Sequence, residues 1–347
     1  MQLKKKLLAL CAVLIALGGS CAFGAGKKAG AAAELLPHQT ADERAPVVYI
    51  VREVTGDALV KVYDALGWSP KGKTGVKIST GEPPASNYLR PALIAAVVKK
   101  VNGTIVECNT AYGGSRSSVA LHKQVVKDHG FLDIAAFDLQ DEDGVMTIPV
   151  NGKRLDVDYV GSHFKDYGSY LVLSHFKGHI MAGFGGAIKN LSIGFASGTN
   201  AAGSGKVYIH SGGLRTKGSF MGEQIPFLES MAEAAQGVCR AMDGGKNIAF
   251  VNVLNRLSVD CDCEGHPSEP DMHDIGILAS LDPLAIDQAS VDLVYAAPDS
   301  ASLRARIESR QGLHVLDYAA EIGLIFLTAL RIVGKLVSIP PGQRSIT

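Results

Sequence analysis

Cysteine, aromatic residues and net charge are all scarce in this chain. Its 347 residues include 6 cysteines, 1 tryptophan and 6% aromatic residues, and 34 Lys and Arg balance 34 Asp and Glu. So few cysteines exclude a scaffold built on disulfides. The charge balance excludes the strongly basic character that is typical of nucleic-acid-binding proteins. We therefore expect a small-molecule or metal ligand and no nucleic acid, in a chain long enough to bury a large core.

The first residues have the pattern of an export signal. Lys4 to Lys6 precede an apolar run, Leu7 to Leu17, that is too short to span a membrane. We predict a signal peptide at residues 1–25, a flexible leader at 26–45, and a periplasmic or otherwise exported protein. Cys21 offers lipoprotein anchoring as the alternative to release as a soluble protein.

Strand-like and helix-like segments alternate along the rest of the chain. Val47–Val51 is a β-branched run, and residues 56–66 follow it with the spacing of an amphipathic helix. Repeated alternation of this kind predicts an α/β fold with a mixed, mostly parallel sheet and helices on both faces. We assign residues 46–340 to a single α/β domain, with two intertwined lobes as the alternative.

Two later segments depart from this alternation. Residues 194–213 are rich in glycine and serine, which predicts irregular structure. Residues 324–339 are apolar, but Arg331 and Lys335 interrupt them. We therefore predict a packed segment there and no transmembrane span.

The densest set of metal-ligating side chains lies in residues 260–274. This stretch holds Cys261, Cys263, His266 and His273 together with several carboxylates. Thiolate and imidazole groups suit zinc, copper(I), iron or an iron–sulfur centre, so we predict these four residues as metal ligands. Two other interpretations stay open: a solvated surface loop, and a nucleophilic cysteine with a histidine base.

Histidines, lysines and glycines are concentrated in residues 174–190, after a short apolar strand. The carboxyl end of a strand is the usual place for active-site residues in open α/β sheets. Backbone N–H groups of a glycine-rich turn that opens a helix can also hold an anion. The alternative is a simple turn with solvated lysines and a histidine in the core. We predict a functional site here, with the candidate residues His175, His179, Gly185, Gly186, Lys189 and Asn190.

A third stretch, residues 107–116, also ends a strand and opens towards a helix. Arg116 and the Gly113-Gly114 turn could bind a carboxylate or phosphate. The alternative is an ordinary strand-to-helix turn in which Ser115 or Ser117 caps the helix.

Motifs in these stretches resemble a large prokaryotic family of unknown function, whose members are commonly labelled uncharacterised iron–sulfur centre proteins. Many members carry a ferredoxin-like insert with Cys-x-x-Cys-x-x-Cys runs, but residues 194–222 of this chain contain no cysteine. The resemblance therefore implies a metal or cluster held by Cys261 and Cys263, with Cys108 and histidines as further ligands. The motifs are Leu-Ser-His-Phe-Lys-Gly-His at 173–179, Gly-Phe-Gly-Gly-Ala-Ile-Lys-Asn at 183–190, Asp-Cys-Asp-Cys at 260–263 and Asp-Ile-Gly-Ile-Leu-Ala-Ser at 274–280.

The segment His179-x-x-Ala-Gly-Phe-x-Gly-x-x-Lys189 is also similar to the part of the lactate racemase family that holds a nickel-pincer nucleotide. This similarity implies that His179 acts in proton or hydride transfer and that Lys189 is the point of cofactor attachment.

We expect the three stretches to converge on one composite site that binds a metal ion, an iron–sulfur centre or, as an alternative, a nickel-pincer nucleotide. The expected function is a redox enzyme or isomerase. In it Cys261 and Cys263 hold the metal, and His179, Lys189 and His175 are catalytic. The glycine turn, Lys189, Asn190 and Arg116 bind an anionic cofactor or substrate. The alternative is a non-catalytic metal-binding or partner-binding module of an exported assembly.

Overall fold

An eight-stranded sheet forms the centre of the fold. The computed structural model describes residues 36–39, 45–198, 204–213, 222–324 and 333–335. The predicted signal peptide, and Cys21 with it, lies outside the described residues. The strands are β1 Val47–Val51, β2 Thr74–Lys77, β3 Gly103–Glu107, β4 Phe137–Leu139, β5 Val145–Pro149, β6 Val157–Gly161, β7 Ser169–His175, β8 Lys177–His179, β9 Gly183–Gly185, β10 Ile248–Leu254, β11 Gly276–Ser280 and β12 Val333–Lys335. The helices are α1 Gly56–Asp64, α2 Pro91–Lys100, α3 Val119–Asp128, α4 Ala187–Ser192, α5 Gly205–His210, α6 Gln224–Ala241, α7 Pro283–Ala296, α8 Ala301–Ser309 and α9 His314–Glu321.

The strand order in the large sheet is β12-β1-β11-β10-β7-β2-β3-β4. Strand β11 pairs antiparallel with β1 and β10, and the other pairs are parallel. The predicted mixed, mostly parallel sheet is therefore confirmed.

Helices cover both faces of this sheet. Because side chains of a strand alternate between faces, Leu171 and Leu173 of β7 join one core cluster, which includes buried residues of α1 and α2. Tyr170 and Val172 of β7 join the other cluster, which includes buried residues of α4, α6 and α7. Both faces of the strand are buried, and this explains its nearly continuous apolar sequence.

The strand order reverses between β2 and β7. From β2 the chain builds outwards through β3 and β4, and from β7 it builds the other way through β10 and β11. Ligands of open α/β sheets bind at the carboxyl ends of the strands at such a reversal. The antiparallel β11 begins at this same edge, so the loop between β10 and β11 leaves and returns on the side where β2, β3 and β7 end.

Two short hairpins lie outside the large sheet. Strands β5 and β6 pair antiparallel, and the turn that connects them contains Asn151, whose φ of 54° is positive. Strands β8 and β9 also pair antiparallel, and this pairing sets Lys177 opposite Gly185 and His179 opposite Gly183.

The sequence predicted irregular structure for residues 194–213, but helix α5 lies within them. Helix α5 begins after Ser204, whose Oγ accepts a hydrogen bond from the backbone N–H of Val207. Its Tyr208 and Ile209 are buried in the core, and this burial outweighs the weak helix signal of a glycine-rich segment. Among the described residues, no helix is both long enough and apolar enough to cross a membrane.

Candidate functional site

A cavity of about 100 Å³ lies at the carboxyl edge of the sheet, where the strand order reverses. All three stretches singled out in the sequence contribute to its wall, so they converge as expected. Lining residues that carry functional groups are Lys77, Glu107, Cys108, Tyr112, Arg116, His175, Lys177, His179, Lys189, Asn190, Lys206, His210, Cys261 and Cys263.

Two cysteines and a histidine form a tight group in this wall. Ligand atoms of His179, Cys261 and Cys263 all lie within 4.8 Å of one another. His179 and Cys261 are buried, and Cys263 is partly buried. These distances are short enough for a shared metal ion after small movements of the side chains.

The pKa values of the two thiols are shifted in opposite directions. A hydrogen bond from Cys263 and the charge of Lys189 hold the pKa of Cys261 well below its usual range, although burial opposes this. The same hydrogen bond and burial raise the pKa of Cys263. Burial and the charge of Lys189 lower the pKa of His179 to about 4. These shifts favour the thiolate on Cys261 and the thiol on Cys263, beside a neutral imidazole.

Backbone contacts fix the tautomer of His179. Its Nδ1 accepts hydrogen bonds from the backbone N–H groups of Met181 and Ala182, at 3.2 and 2.9 Å. The neutral ring must therefore carry its proton on Nε2, and His179 hydrogen bonds to Cys261. In this tautomer the ring has no lone pair left for a metal, so the two thiols fit the ligand role and His179 fits that of a hydrogen-bond donor beside them.

Asp262, between the two cysteines, anchors their loop. Its carboxylate is fully buried and lies 2.8 Å from Nδ1 of His175 and 2.9 Å from Nζ of Lys177. Burial alone would raise the pKa of Asp262, but His175 and Lys177 lower it. The other ring nitrogen of His175 lies 2.6 Å from the carbonyl oxygen of Asn255. Both nitrogens of His175 are thus engaged by the protein, which makes it a positioning residue here, whereas the sequence had predicted a catalytic one.

The predicted anion site at the glycine turn is already occupied by a protein carboxylate. Asp287 accepts hydrogen bonds from the first backbone N–H groups of α4, those of Ala187 at 2.7 Å and Ile188 at 2.9 Å. A Cβ at Gly186 would lie 2.3 Å from Oδ1 of Asp287, so glycine is needed for this approach. The turn therefore serves an internal contact, and these two N–H groups are not available to a cofactor.

Asn190, predicted to bind a cofactor, joins the ends of β2 and β7. Its Nδ2 donates to the carbonyl oxygen of Lys77 at 3.2 Å and to Oγ of Ser174 at 3.1 Å. Its Oδ1 accepts from Nζ of Lys77 at 3.2 Å. The amide is used on both sides, so it holds the reversal point together.

Arg116 was predicted to bind an anionic ligand, but its guanidinium is paired within the protein. It donates to Glu82 at 3.1 Å, to Glu107 at 3.2 Å and to the hydroxyl of Tyr112 at 3.3 Å. Burial would raise the pKa of Glu107, but His122 and Arg116 outweigh it and lower that pKa. The positive charge of Arg116 is thus offset by the carboxylates of Glu82 and Glu107.

The remaining predicted ligands lie outside the group of His179, Cys261 and Cys263. Cys108 lines the same cavity, but its Sγ donates to the carbonyl oxygen of Phe195 at 3.3 Å, and burial raises its pKa. His266 is exposed. His273 is 56% exposed, and its Nδ1 lies 2.9 Å from the carboxylate of Asp299. Neither histidine is among the lining residues of the cavity.

Sequence reasoning missed two buried lysines, Lys77 and Lys206. Lys77 is at the end of β2, and Lys206 is in helix α5, which was predicted to be irregular. A lysine inside the apolar run Val76-Lys77-Ile78 is a usable signal, because strands buried on both faces seldom contain an unpaired charge. The position of Asp262 between two candidate ligands was a second signal.

Comparisons with known proteins identify the family. The family described as Domain of unknown function (DUF362) matches residues 74–292, more than half of the chain. Among solved structures, the lactate racemase apoprotein from Thermoanaerobacterium thermosaccharolyticum is 15% identical with a TM-score of 0.36, and the match covers 63% of this chain and 54% of that one. A Thermotoga maritima protein is 11% identical with a TM-score of 0.35, covering 74% and 57% of the two chains. The chain thus spans little more than half the length of either structure. No curated protein sequence matches it.

Proposed function

Because this chain belongs to the family described as Domain of unknown function (DUF362), whose description assigns no reaction, we propose a function from its own site. The protein is a metal-dependent redox enzyme or isomerase that acts on a small molecule. Cys261 and Cys263 are the thiolate ligands of the metal, and His179 is the hydrogen-bond donor beside them that polarises the substrate. The supporting observation is the position of these three side chains, within 4.8 Å of one another in the wall of a cavity.

The chemistry of the donor set favours a thiophilic ion. Two sulfur ligands suit zinc, copper(I) or iron better than magnesium or calcium. Such an ion would polarise a bound substrate or exchange an electron with it. Lys177 and Asp262 keep the loop with both cysteines closed over the end of β8, where the N–H of Gly178 donates to the carbonyl oxygen of Ser258 at 2.8 Å.

His179 supplies a fixed hydrogen-bond donor at this site. Its Nε2–H is directed to Cys261, and its Nδ1 is held by the backbone of the turn that follows β8. A neutral ring held in this way keeps its N–H at one point, where it stabilises negative charge on the Cys261 sulfur or on a substrate oxygen beside it. The resemblance of residues 179–189 to the lactate racemase segment implies a role in proton or hydride transfer for His179 and names Lys189 as an alternative cofactor attachment point.

Metal content measured after anaerobic purification tests the proposal. We expect about one equivalent of a thiophilic metal in the wild type and its loss in Cys261→Ser and Cys263→Ser. Cys239→Ala is the matched control, because Cys239 is buried in α6 and lines no part of this cavity. A wild-type protein that neither contains metal nor takes up Zn²⁺ or Fe²⁺ would refute the metal proposal. An added mass on Lys189 in the intact protein would instead support the nucleotide alternative.

A non-catalytic metal-binding module is the competing proposal. It requires the same metal but no bound substrate. The cavity beside the cysteines favours the enzyme, because a storage or structural site is normally closed around its ion. Metal binding that is unaffected by any small acid would favour the module.

Export is a separate proposal that rests on residues 1–25 alone. Expression of the full chain in a bacterium, followed by fractionation and sequencing of the mature N-terminus, tests it. Cleavage near residue 24 supports a released protein, a lipid-modified Cys21 supports anchoring, and an uncleaved chain in the cytoplasm contradicts both.

A further inference from the structure

Three lysines line the cavity without an ion pair to a carboxylate in the part of the chain that the structure describes. Lys77 and Lys206 are 1% and 6% exposed, and Lys189 is partly buried. Other cations that line the cavity are paired: Lys177 with Asp262, and Arg116 with Glu82 and Glu107. Within the described ranges, none of the three lysines has such a pair. Buried lysines are rare in proteins unless something neutralises them.

The three ammonium groups have N–H donors to spare. An ammonium offers three donors. Nζ of Lys77 donates to the carbonyl oxygen of Ile78 at 2.7 Å and to Asn190 at 3.2 Å, which leaves one donor. Nζ of Lys206 donates to the carbonyl oxygen of Ala196, which leaves two. Several unused donors therefore surround a small volume of about 100 Å³.

Nearby carboxylates do not use these donors. Glu107 accepts from Arg116, while its other oxygen lies 2.9 Å from Nε2 of His122. Asp141 accepts from Asn109 through one oxygen and from the backbone N–H of Gly198 through the other, both at 2.9 Å. Both carboxylates accept hydrogen bonds from other groups, so the donors of the lysines are left for a ligand.

We propose that Lys77, Lys189 and Lys206 form a subsite for a small oxyanion group, a carboxylate or a phosphate, on the substrate of this site. That the bound anion belongs to a substrate rests on the proposed function. The lysine subsite takes the place of the glycine turn and Arg116 as the predicted anion-binding groups, because their donors are used by Asp287 and by Glu82 and Glu107. The volume is far below the roughly 300–1,000 Å³ of sites for drug-sized ligands. A small acid therefore fits better than a nucleotide.

Calorimetric titration of the full-length protein with inorganic phosphate and, separately, with malonate tests the subsite. Binding of phosphate alone identifies a phosphate-bearing substrate, and binding of malonate alone identifies a carboxylate-bearing one. We expect affinity for the bound probe to fall roughly tenfold or more in Lys77→Met and Lys206→Met, since each removes a charge-assisted hydrogen bond. Lys123→Gln is the control, because Lys123 is 48% exposed and pairs with Glu142 outside the cavity. If neither probe binds, or if all variants bind like the wild type, the subsite is refuted.

Lys189→Gln guards against variants that fail to fold. Lys189 is only partly buried, so its replacement should leave the melting temperature nearly unchanged while weakening anion binding. Unchanged anion affinity in a folded Lys189→Gln protein would contradict its place in the subsite. The Cys261→Ser/Cys263→Ser double variant separates the two sites, because it should lose metal uptake and keep anion binding. In the wild type, anion binding without metal uptake refutes the metal site alone, and metal uptake without anion binding refutes the subsite alone.

Discussion

Two parts of the cavity lining carry cations that differ in whether the protein pairs them with a carboxylate. We call them the Arg116 wall, with Arg116, Glu107 and Tyr112, and the lysine wall, with Lys77, Lys189 and Lys206. Arg116 is surrounded by Glu82, Glu107 and the hydroxyl of Tyr112. Lys189 and Lys206, by contrast, have no carboxylate partner among the described residues. A cation in a cavity can serve a ligand only where the protein has not already neutralised it. Arg116 therefore maintains the shape of the site, while the lysines are available for recognition.

Replacing Arg116 should have the largest effect on stability. Arg116→Met leaves Glu82 and Glu107 buried without their partner, and breaking a buried ion pair in this way costs about 3–5 kcal/mol. Lys189→Met should change the free energy of unfolding by less than about 0.5 kcal/mol, because no ion pair is lost. Urea unfolding of both variants measures the contrast. Equal destabilisation by the two substitutions would abolish the distinction between the walls.

Two glycines allow a similar comparison at the backbone, between a position that an internal contact uses and a position that is open. In Gly186→Ala the new Cβ would lie 2.3 Å from Oδ1 of Asp287 and would displace the carboxylate that caps α4. We expect a loss of about 1–3 kcal/mol in the free energy of unfolding. Gly113→Ala is the control, since a Cβ there meets no atom within 4 Å. Thermal unfolding distinguishes the two, and an undisturbed Gly186→Ala protein would show that Asp287 is not needed at this turn.

The unpaired charge of Lys77 should produce a smaller effect that depends on pH. Burial, with a contribution from Lys206, lowers the pKa of Lys77 from 10.5 to about 8, although Glu107 opposes the shift. Between pH 8 and 10.5 the unfolded chain therefore binds more protons than the folded protein. The contribution of Lys77 to stability must then rise with pH, by up to about 1.4 kcal/mol per pH unit.

Comparison with Lys77→Met isolates this effect from that of other titrating groups. Urea unfolding of the wild type and the variant at pH 8, 9 and 10 gives the difference in slope. A wild-type slope more positive than that of Lys77→Met supports the buried, unpaired lysine. Parallel pH profiles would mean that Lys77 already has a compensating partner.

Sequence patterns were sufficient for the fold class and for the three stretches that line the cavity. Buried strands such as β7 and β10 are continuous apolar runs, and the strand-end stretches are rich in side chains that bind metals and anions. The same patterns could not show which of these side chains the protein uses for itself. Asp287 lies far along the chain from Gly186, and Glu82 lies far from Arg116, so these neutralising contacts exist only after folding.

Histidines illustrate the same limit within a single motif. His266 and His273 are nearest to the cysteines in sequence, yet His179, in the hairpin of β8 and β9, is the histidine that meets them. The loop between β10 and β11 returns over the end of β8, where a Cβ at Gly178 would lie 2.2 Å from the carbonyl oxygen of Val259. That close approach is a tertiary contact, and no local spacing predicts it.

X-ray absorption at the zinc K-edge of the zinc-loaded protein tests the central claim most directly. The account predicts two sulfur atoms at about 2.3 Å from the metal, and loss of the bound zinc in Cys261→Ser and in Cys263→Ser. A first coordination sphere made up of oxygen and nitrogen alone would contradict the account.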